Sequence, residues 1–300
     1  MIELDGLTKR YRARTAVDDL TVQVLPGRVT GFLGPNGSGK TTTMRCVLGL
    51  TRPTAGTATV LGVPYAELAQ PMRRVGALID PRARHPGRTA HDHLRALAQS
   101  NALSRDRVAE VVDLVGLGAV AHERVRGFSL GMAQRLGIAV ALLGDPDVLL
   151  FDEPVNGLDP DGIRWVRHLL RELAAEGRTV LVSSHLMSEM QDTADHLVVL
   201  GRGRLLADVP MAELLGSGAA VRVRTPRPRL LAPALQRAGG QVQLEPDGAL
   251  TVRGLVADRI GDVAFATGLP VHELTRLTIS LEAAYYALTG DDVEYRAGER

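Results

Sequence analysis

Cysteine is nearly missing. Cys46 is the single one in 300 residues, so no disulfide can form within the chain, which fits a reducing compartment. Lysine is almost as rare: of 35 basic residues only Lys9 and Lys40 are lysines. A lysine kept in so arginine-rich a chain points to a place that wants a compact ammonium rather than a wide guanidinium. There is no excess of either charge. The formal net charge is +1, so no global field draws nucleic acid or an anionic membrane. Long apolar runs are absent too. The longest, Leu136 to Gly144, falls far short of the roughly 20 residues that span a bilayer, so any transmembrane pathway must come from another chain. The N-terminus carries Glu3 and Asp5 with no apolar run behind positive charge, which excludes a signal peptide. No long internal repeat is visible.

What is present is a globular composition, 45% hydrophobic, over a length that suits one large domain with a smaller companion. Ile2 to Leu7, Leu20 to Leu25 and Arg28 to Leu33 read as strands, and Thr41 to Leu50 as a helix. From about Gly76 to Leu143 the pattern is mostly helical, with Val108, Val111, Val112, Leu114 and Val115 on one face. Val148 to Phe151 is a continuous apolar run, as a buried parallel strand requires. A helix over Gly162 to Ala175 and strands at Thr179 to Ser183 and Leu197 to Leu200 follow. Gly216-Ser217-Gly218 reads as a linker. Beyond it the pattern is strand Val221 to Thr225, helix Leu230 to Ala238, strands Gln241 to Leu244 and Leu250 to Val252, helix Ala257 to Thr267 and extended Val271 to Leu277. That βαββαβ order is the ferredoxin-like arrangement. A last helix is expected after Ser280, with Glu282 in its first turn.

The sharpest motif is Gly34-Pro35-Asn36-Gly37-Ser38-Gly39-Lys40-Thr41, which fits G-x-x-x-x-G-K-[ST] between a strand and a helix. Its glycines let backbone N–H groups point at phosphate oxygens, and the helix that follows adds its positive end. Lys40 can reach the β- and γ-phosphates, and Thr41 can hold Mg²⁺ through its hydroxyl. The apolar strand 148–151 ends in Asp152 and Glu153. Asp152 is placed to assist Mg²⁺, and Glu153 to orient or deprotonate an attacking water.

Between these motifs stands Phe128-Ser129-Leu130-Gly131-Met132-Ala133-Gln134-Arg135, which resembles the signature loop of ABC ATPases. Tyr11, with Ala16-Val17 and Leu20 behind it, resembles the aromatic loop that stacks on adenine. Gly157-Leu158-Asp159-Pro160 resembles the D-loop, and Ser183-Ser184-His185 the switch histidine. These pieces stand in the family's order over residues 1 to about 210. The resemblance is to the ATP-binding subunits of drug-resistance exporters of the ABC-2 type.

The resemblance implies an α/β P-loop NTPase domain with a helical subdomain (domain 1–215, subdomain about 76–143) and a small C-terminal α+β ferredoxin-like domain (219–300). It implies ATP and Mg²⁺ as ligands, with Thr42 joining the phosphate-loop contacts. It also implies a head-to-tail homodimer in which Ser129 and Gly131 of one subunit face the nucleotide held by the other, and it counts Asp159 of the D-loop among the nucleotide-binding residues. The further partner is an integral membrane permease. It would hold the chain on the cytoplasmic face of the membrane, and no nucleic acid is expected. Other readings are a soluble ABC ATPase acting on ribosomes or nucleic acid, and a nucleotide-binding regulator.

Two departures stand out. Where the family places a glutamine that contacts Mg²⁺ and the lytic water, counting from Val75-Gly76 reaches Asp80. The signature loop has Phe128, Leu130 and Met132 in place of leucine, glycine and glutamine. The basic stretch Arg82 to Arg88 lies where the family meets its membrane subunit. His91 and His93 read as solvated helix residues rather than metal ligands, and Cys46 as a small core residue.

Overall fold

The structure, a computed structural model, describes residues 1–12, 14–216, 220–277, 281–282 and 285. The chain opens with β1 (Ile2–Tyr11), β2 (Arg14–Val24), β3 (Arg28–Leu33), α1 (Lys40–Val47) and β4 (Ala55–Val60). It continues through α2 (Pro71–Arg74), β5 (Val75–Leu78), α3 (Ala90–Ser100), α4 (Asp106–Leu114), α5 (Leu130–Leu142) and β6 (Val148–Asp152). Then come α6 (Pro160–Ala175), β7 (Thr179–Ser184), α7 (Met187–Thr193), β8 (His196–Gly201) and β9 (Arg204–Pro210). All of these belong to one compact unit, and a second begins at Met211.

Two sheets organise the first unit. The antiparallel one has the order β2-β1-β4, and the larger one β5-β6-β7-β3-β8-β9. In the larger sheet β5, β6, β7, β3 and β8 run parallel and only β9 is antiparallel. Strands enclosed on both faces need apolar side chains throughout, and every residue of β6, β7 and β8 is buried. Because the strands are parallel, the loops after β3, β6 and β7 leave from one edge of the sheet, where α/β proteins bind ligands. Helix α6 buries Val166, Leu169, Leu170 and Leu173, one stripe at helical spacing. Thr89 caps α3 by accepting from the Asp92 amide at 3.0 Å and returns a hydrogen bond to the Asp92 carboxylate at 2.8 Å.

One boundary differs from expectation. Residues 76–78 are strand, not helix: β5 pairs in register with Val148–Phe151 of β6, and helices begin only at Ala90. Four residues are too few to show a period of their own, and the sheet partner decides their state. Gly76 is the residue that permits this packing. A Cβ there would lie 1.9 Å from the Ala141 carbonyl oxygen in α5. Gly76→Ala is therefore expected to cost at least about 1–3 kcal/mol through overpacking, read as a lower urea midpoint. Gly127→Ala meets nothing within 4 Å and should stay within about 0.5 kcal/mol of the parent.

The second unit comprises α8 (Met211–Gly216), β10 (Ala220–Arg224), α9 (Pro228–Arg237), β11 (Gln241–Leu244), β12 (Leu250–Arg253), α10 (Ala257–Ala266) and β13 (Glu273–Leu277). Its sheet has the order β11-β12-β10-β13, antiparallel throughout. With one helix before β11 and one before β13, that is the ferredoxin-like topology. Val221, Val223, Leu231, Leu235, Leu250, Val252 and Ile260 form its own core. Ser217 and Gly218 of the expected linker, and Ser280 at the start of the expected final helix, lie outside the described residues.

Candidate active site

The loop after β3 turns tightly into α1. Gly39, at φ +107°, precedes the first helical residue, and a side chain there would sit 2.7 Å from the Ala16 carbonyl oxygen. A left-handed residue pressed against backbone must be glycine. Lys40 folds back into the loop, and its Nζ donates to the carbonyls of Gly34 at 2.6 Å and Pro35 at 3.1 Å. The Ser38 amide donates to Pro35 O at 3.1 Å, and Ser38 O accepts from the Gly203 amide at 3.1 Å. Burial lowers the Lys40 pKa below the ordinary lysine value, and Glu153 and Asp152 oppose that only in part.

The carboxylates arrive from the neighbouring strand. Asp152 ends β6 and is buried. Its Oδ2 accepts from the Thr41 hydroxyl at 2.6 Å, and its Oδ1 from the Ser183 hydroxyl of β7. A buried carboxylate against a threonine hydroxyl is a hard-oxygen pair suited to Mg²⁺. Glu153 follows at φ +51°, a costly conformation for a residue with a Cβ. Three bonds hold it there. Its amide donates to Ser183 Oγ at 3.0 Å and Ser183 O at 3.3 Å, and its carbonyl accepts from Gln134 Nε2 at 2.9 Å. The carboxylate is left to point at the site, where Oε2 lies 2.9 Å from His185 Nδ1.

These groups open on one cleft of about 320 Å³, lined by Tyr11, Arg14, Ala16, Asn36, Gly37, Gly39, Lys40, Thr41, Thr42 and Glu153. Tyr11 is 46% exposed, with Lys9 Nζ 4.8 Å from the ring centroid. The structure thus gathers the predicted aromatic, phosphate-loop and carboxylate residues at one place. Arg14 and Gln134 were not foreseen. Arg14 is the last of a basic run with Lys9, Arg10 and Arg12 and pairs with Tyr11 across the hairpin. Gln134 is a fully buried amide on an otherwise apolar helix face, which is the signal that marks it.

Ser129, Gly131 and Asp159 stand elsewhere. Ser129 caps α5 by accepting from Met132 N at 3.2 Å, and Asp159 caps α6 by accepting from Gly162 N at 2.8 Å. Gly131 packs beside Gly157, with 3.1 Å from a Cβ position to the Gly157 carbonyl oxygen. The two loops therefore form one surface apart from the cleft. Asp80 is not among the residues of the cleft. Its Oδ1 accepts from the Arg82 amide at 2.8 Å, and it lines a separate groove of about 360 Å³ with Arg45, Leu48, Leu50, Tyr65, Arg84, His93 and α5 residues. Both histidines of α3 sit deeper than the sequence suggests: His93 is 8% exposed and His91 is half-buried. The side of α3 that carries Leu94 and Ala98 also carries His93 into the packing.

A family profile described as ABC transporter matches residues 17–156, and one described as a domain of unknown function matches residues 219–282. An uncharacterized ABC transporter ATP-binding protein of Bacillus subtilis, YhcH, is 42% identical over 209 residues, 69% of this chain and 68% of that protein. The bacitracin transport ATP-binding protein BcrA of Bacillus licheniformis is 40% identical over 217 residues, 71% of each chain. A solved structure of the ATP-binding subunit of an ABC transporter superposes with a TM-score of 0.66 at 27% identity, over 71% of this chain and 91% of that one.

Proposed function

Because the chain belongs to the ATP-binding proteins of ABC transporters, we propose that it cleaves Mg-ATP to drive export of a drug-, antibiotic- or lipid-like compound through a separate membrane permease. The observation that carries the chemistry is the Glu153–His185 pair, 2.9 Å apart, with Glu153 lining the cleft that holds Lys40 and Thr41. ATP lies with its base on Tyr11 and its phosphates in the loop 34–41, within reach of Thr42. Lys40 exchanges its two carbonyl partners for β- and γ-phosphate oxygens. Thr41 and Asp152 would hold Mg²⁺, which would supply charge neutralisation at the phosphates. Glu153 aligns the lytic water and accepts its proton, and His185 holds the Glu153 carboxylate in line. Phosphoryl transfer needs positioning and charge stabilisation more than covalent help, so a site completed across an interface can gate it. Ser129, Gly131 and Asp159, absent from the cleft of their own chain, complete the site of a second copy in a head-to-tail homodimer. Asp80 acts from the groove rather than as a metal ligand.

No helix of the described residues is long and apolar enough to cross a membrane. In this reading the pathway belongs to the permease and the chain sits peripherally on its cytoplasmic side. The kinship with transport proteins displaces the ribosome and nucleic-acid alternative. The groove beside Asp80, with Arg84 in its wall, is where a cytoplasmic segment of the permease docks.

The test is a pull-down from detergent-solubilised native membranes with tagged Glu153→Gln protein and Mg-ATP. A polytopic membrane protein is the expected catch. Ribosomal or nucleic-acid-associated proteins alone would overturn export while leaving the ATPase. Charge reversal at Arg84 and Arg88 to glutamate should cut recovery of the membrane protein at least several-fold, and unchanged recovery removes the docking assignment.

A further inference from the structure

The groove has one feature that its packing leaves unexplained. His93 is 8% exposed, and its Nδ1 is buried with no hydrogen-bond partner among the described residues. An unpaired buried ring nitrogen costs stability, yet this ring lines an open cavity and not a sealed core. The walls are apolar: Leu48, Leu78, Leu136 and Val140. The charged groups that face the histidine are mostly positive. Arg84, His85 and Arg88 approach it from the loop before α3, and Arg45 lines the groove from α1. Asp80 is the one acid of the lining, and its carboxylate already caps the Arg82 amide. Tyr65 completes the rim. Arg45 and Arg84 form no ion pair among the described residues. The cavity therefore offers an apolar floor, two guanidinium groups that lack an ion-pair partner among the described residues (Arg84 donates to the Pro81 carbonyl) and an edge of the His93 imidazole.

An occupant that satisfies all three is an amphipathic segment with apolar side chains on one face and a carboxylate among them. We propose that His93 reads this groove: it meets an aspartate or glutamate on the docking segment of the membrane subunit and takes up a proton from solvent as the segment seats. The inference rests on the permease reading above and adds the chemistry of the partner.

A sign follows. In the free chain, burial and the neighbouring cations hold His93 below the ordinary imidazole range, so its ring is neutral. A carboxylate placed against it favours the charged form. The docked state then holds more protons than the free state through the interval between the two values, so docking strengthens as pH falls and weakens as it rises.

Two readings of the full chain in its native membranes test this. First, a benzophenone amino acid replaces Leu50, 67% exposed on the lip of the groove, and the photocross-linked peptide is sequenced. A cytoplasmic segment of a polytopic membrane protein with an Asp or Glu in it is expected. Second, the captured membrane subunit is washed at about pH 6 and about pH 8. Retention should fall roughly five- to tenfold across that range, within the limit of tenfold per pH unit for a single proton. In His93→Gln, which keeps a hydrogen-bonding side chain but cannot charge, retention should not vary with pH. Capture of no membrane protein at either pH overturns the transporter reading. Capture with a cross-linked segment that lacks acidic residues overturns this inference alone. So does pH-independent retention, or a pH dependence that survives in His93→Gln. The cross-link is read on a chain with His93 intact, so it decides the matter even if the substitution disturbs folding.

Discussion

Glu153→Gln is expected to lower steady-state ATP turnover by about 10²–10⁴-fold, the usual weight of general acid–base catalysis, while ATP still binds. The amide is isosteric, and the bonds that hold the residue in place come from its backbone, to Ser183 and to Gln134. The strained φ of +51° is thus maintained without the carboxylate. What is lost is the proton acceptor and the partner of His185. The measurement is phosphate release at saturating Mg-ATP beside equilibrium binding of a fluorescent ATP analogue. Turnover near the parental rate would mean that Glu153 is not the base. Loss of binding together with turnover would mean that the residue holds the cleft open and does not act on water.

Lys40→Met is expected to reduce turnover by about 10²–10³-fold, comparable to removing one preorganised electrostatic donor, and to weaken ATP binding. The two carbonyls that Lys40 now serves, Gly34 O and Pro35 O, would lose their donor, so the loop itself should loosen. A second signature separates charge from structure. Burial lowers the pKa of Lys40 in the free protein, and a bound triphosphate pulls it back up. The complex therefore holds more protons than the free protein at alkaline pH. ATP affinity should decline as pH rises through the free-state value towards the ordinary lysine value near 10.5. Methionine cannot titrate, so this alkaline decline should be absent from Lys40→Met. If it persists, another group is responsible.

The site was far easier to read in the sequence than its setting. A phosphate loop is local: eight consecutive residues carry their own turn, helix and cation, and the apolar run before Asp152 announces a buried strand. Contacts made across the sheet leave no local mark. Strand β5 has four residues inside a segment with helical composition, and only the pairing with β6 makes it a strand. The first hairpin pairs Tyr11 with Arg14, so Ala16 and Val17 are strand residues although the preceding polar run hides the alternation. His93 reads as solvated in the sequence because no Cys or further His stands at metal-ligand spacing; its burial depends on which face of α3 meets the groove. Counting along a family pattern puts Asp80 at the metal, whereas in the structure it lines the groove with its carboxylate on the Arg82 amide.

Pro233 lies within α9, inside the stretch that reads as a helix from Leu230 to Ala238, because the apolar stripe of Leu231, Ala234 and Leu235 outweighs one missing donor.

The parallel sheet also governs when the cleft comes into being. Thr41 and Asp152 are 111 positions apart, and they meet only after β3, β6 and β7 have paired. Contacts of such long sequence separation form late and slowly. No fragment or half-folded intermediate can hold the triphosphate as the native chain does. The nucleotide is thus a ligand of the finished sheet alone, and mass action makes it a folding ligand. At a free concentration about 1,000 times its Kd it would add roughly 4 kcal/mol to stability, comparable to a large part of what a typical domain has in total. A cell depleted of ATP would lose more than the power for transport: the subunit itself would be nearer to unfolding, and open to proteolysis, when there is nothing for it to hydrolyse.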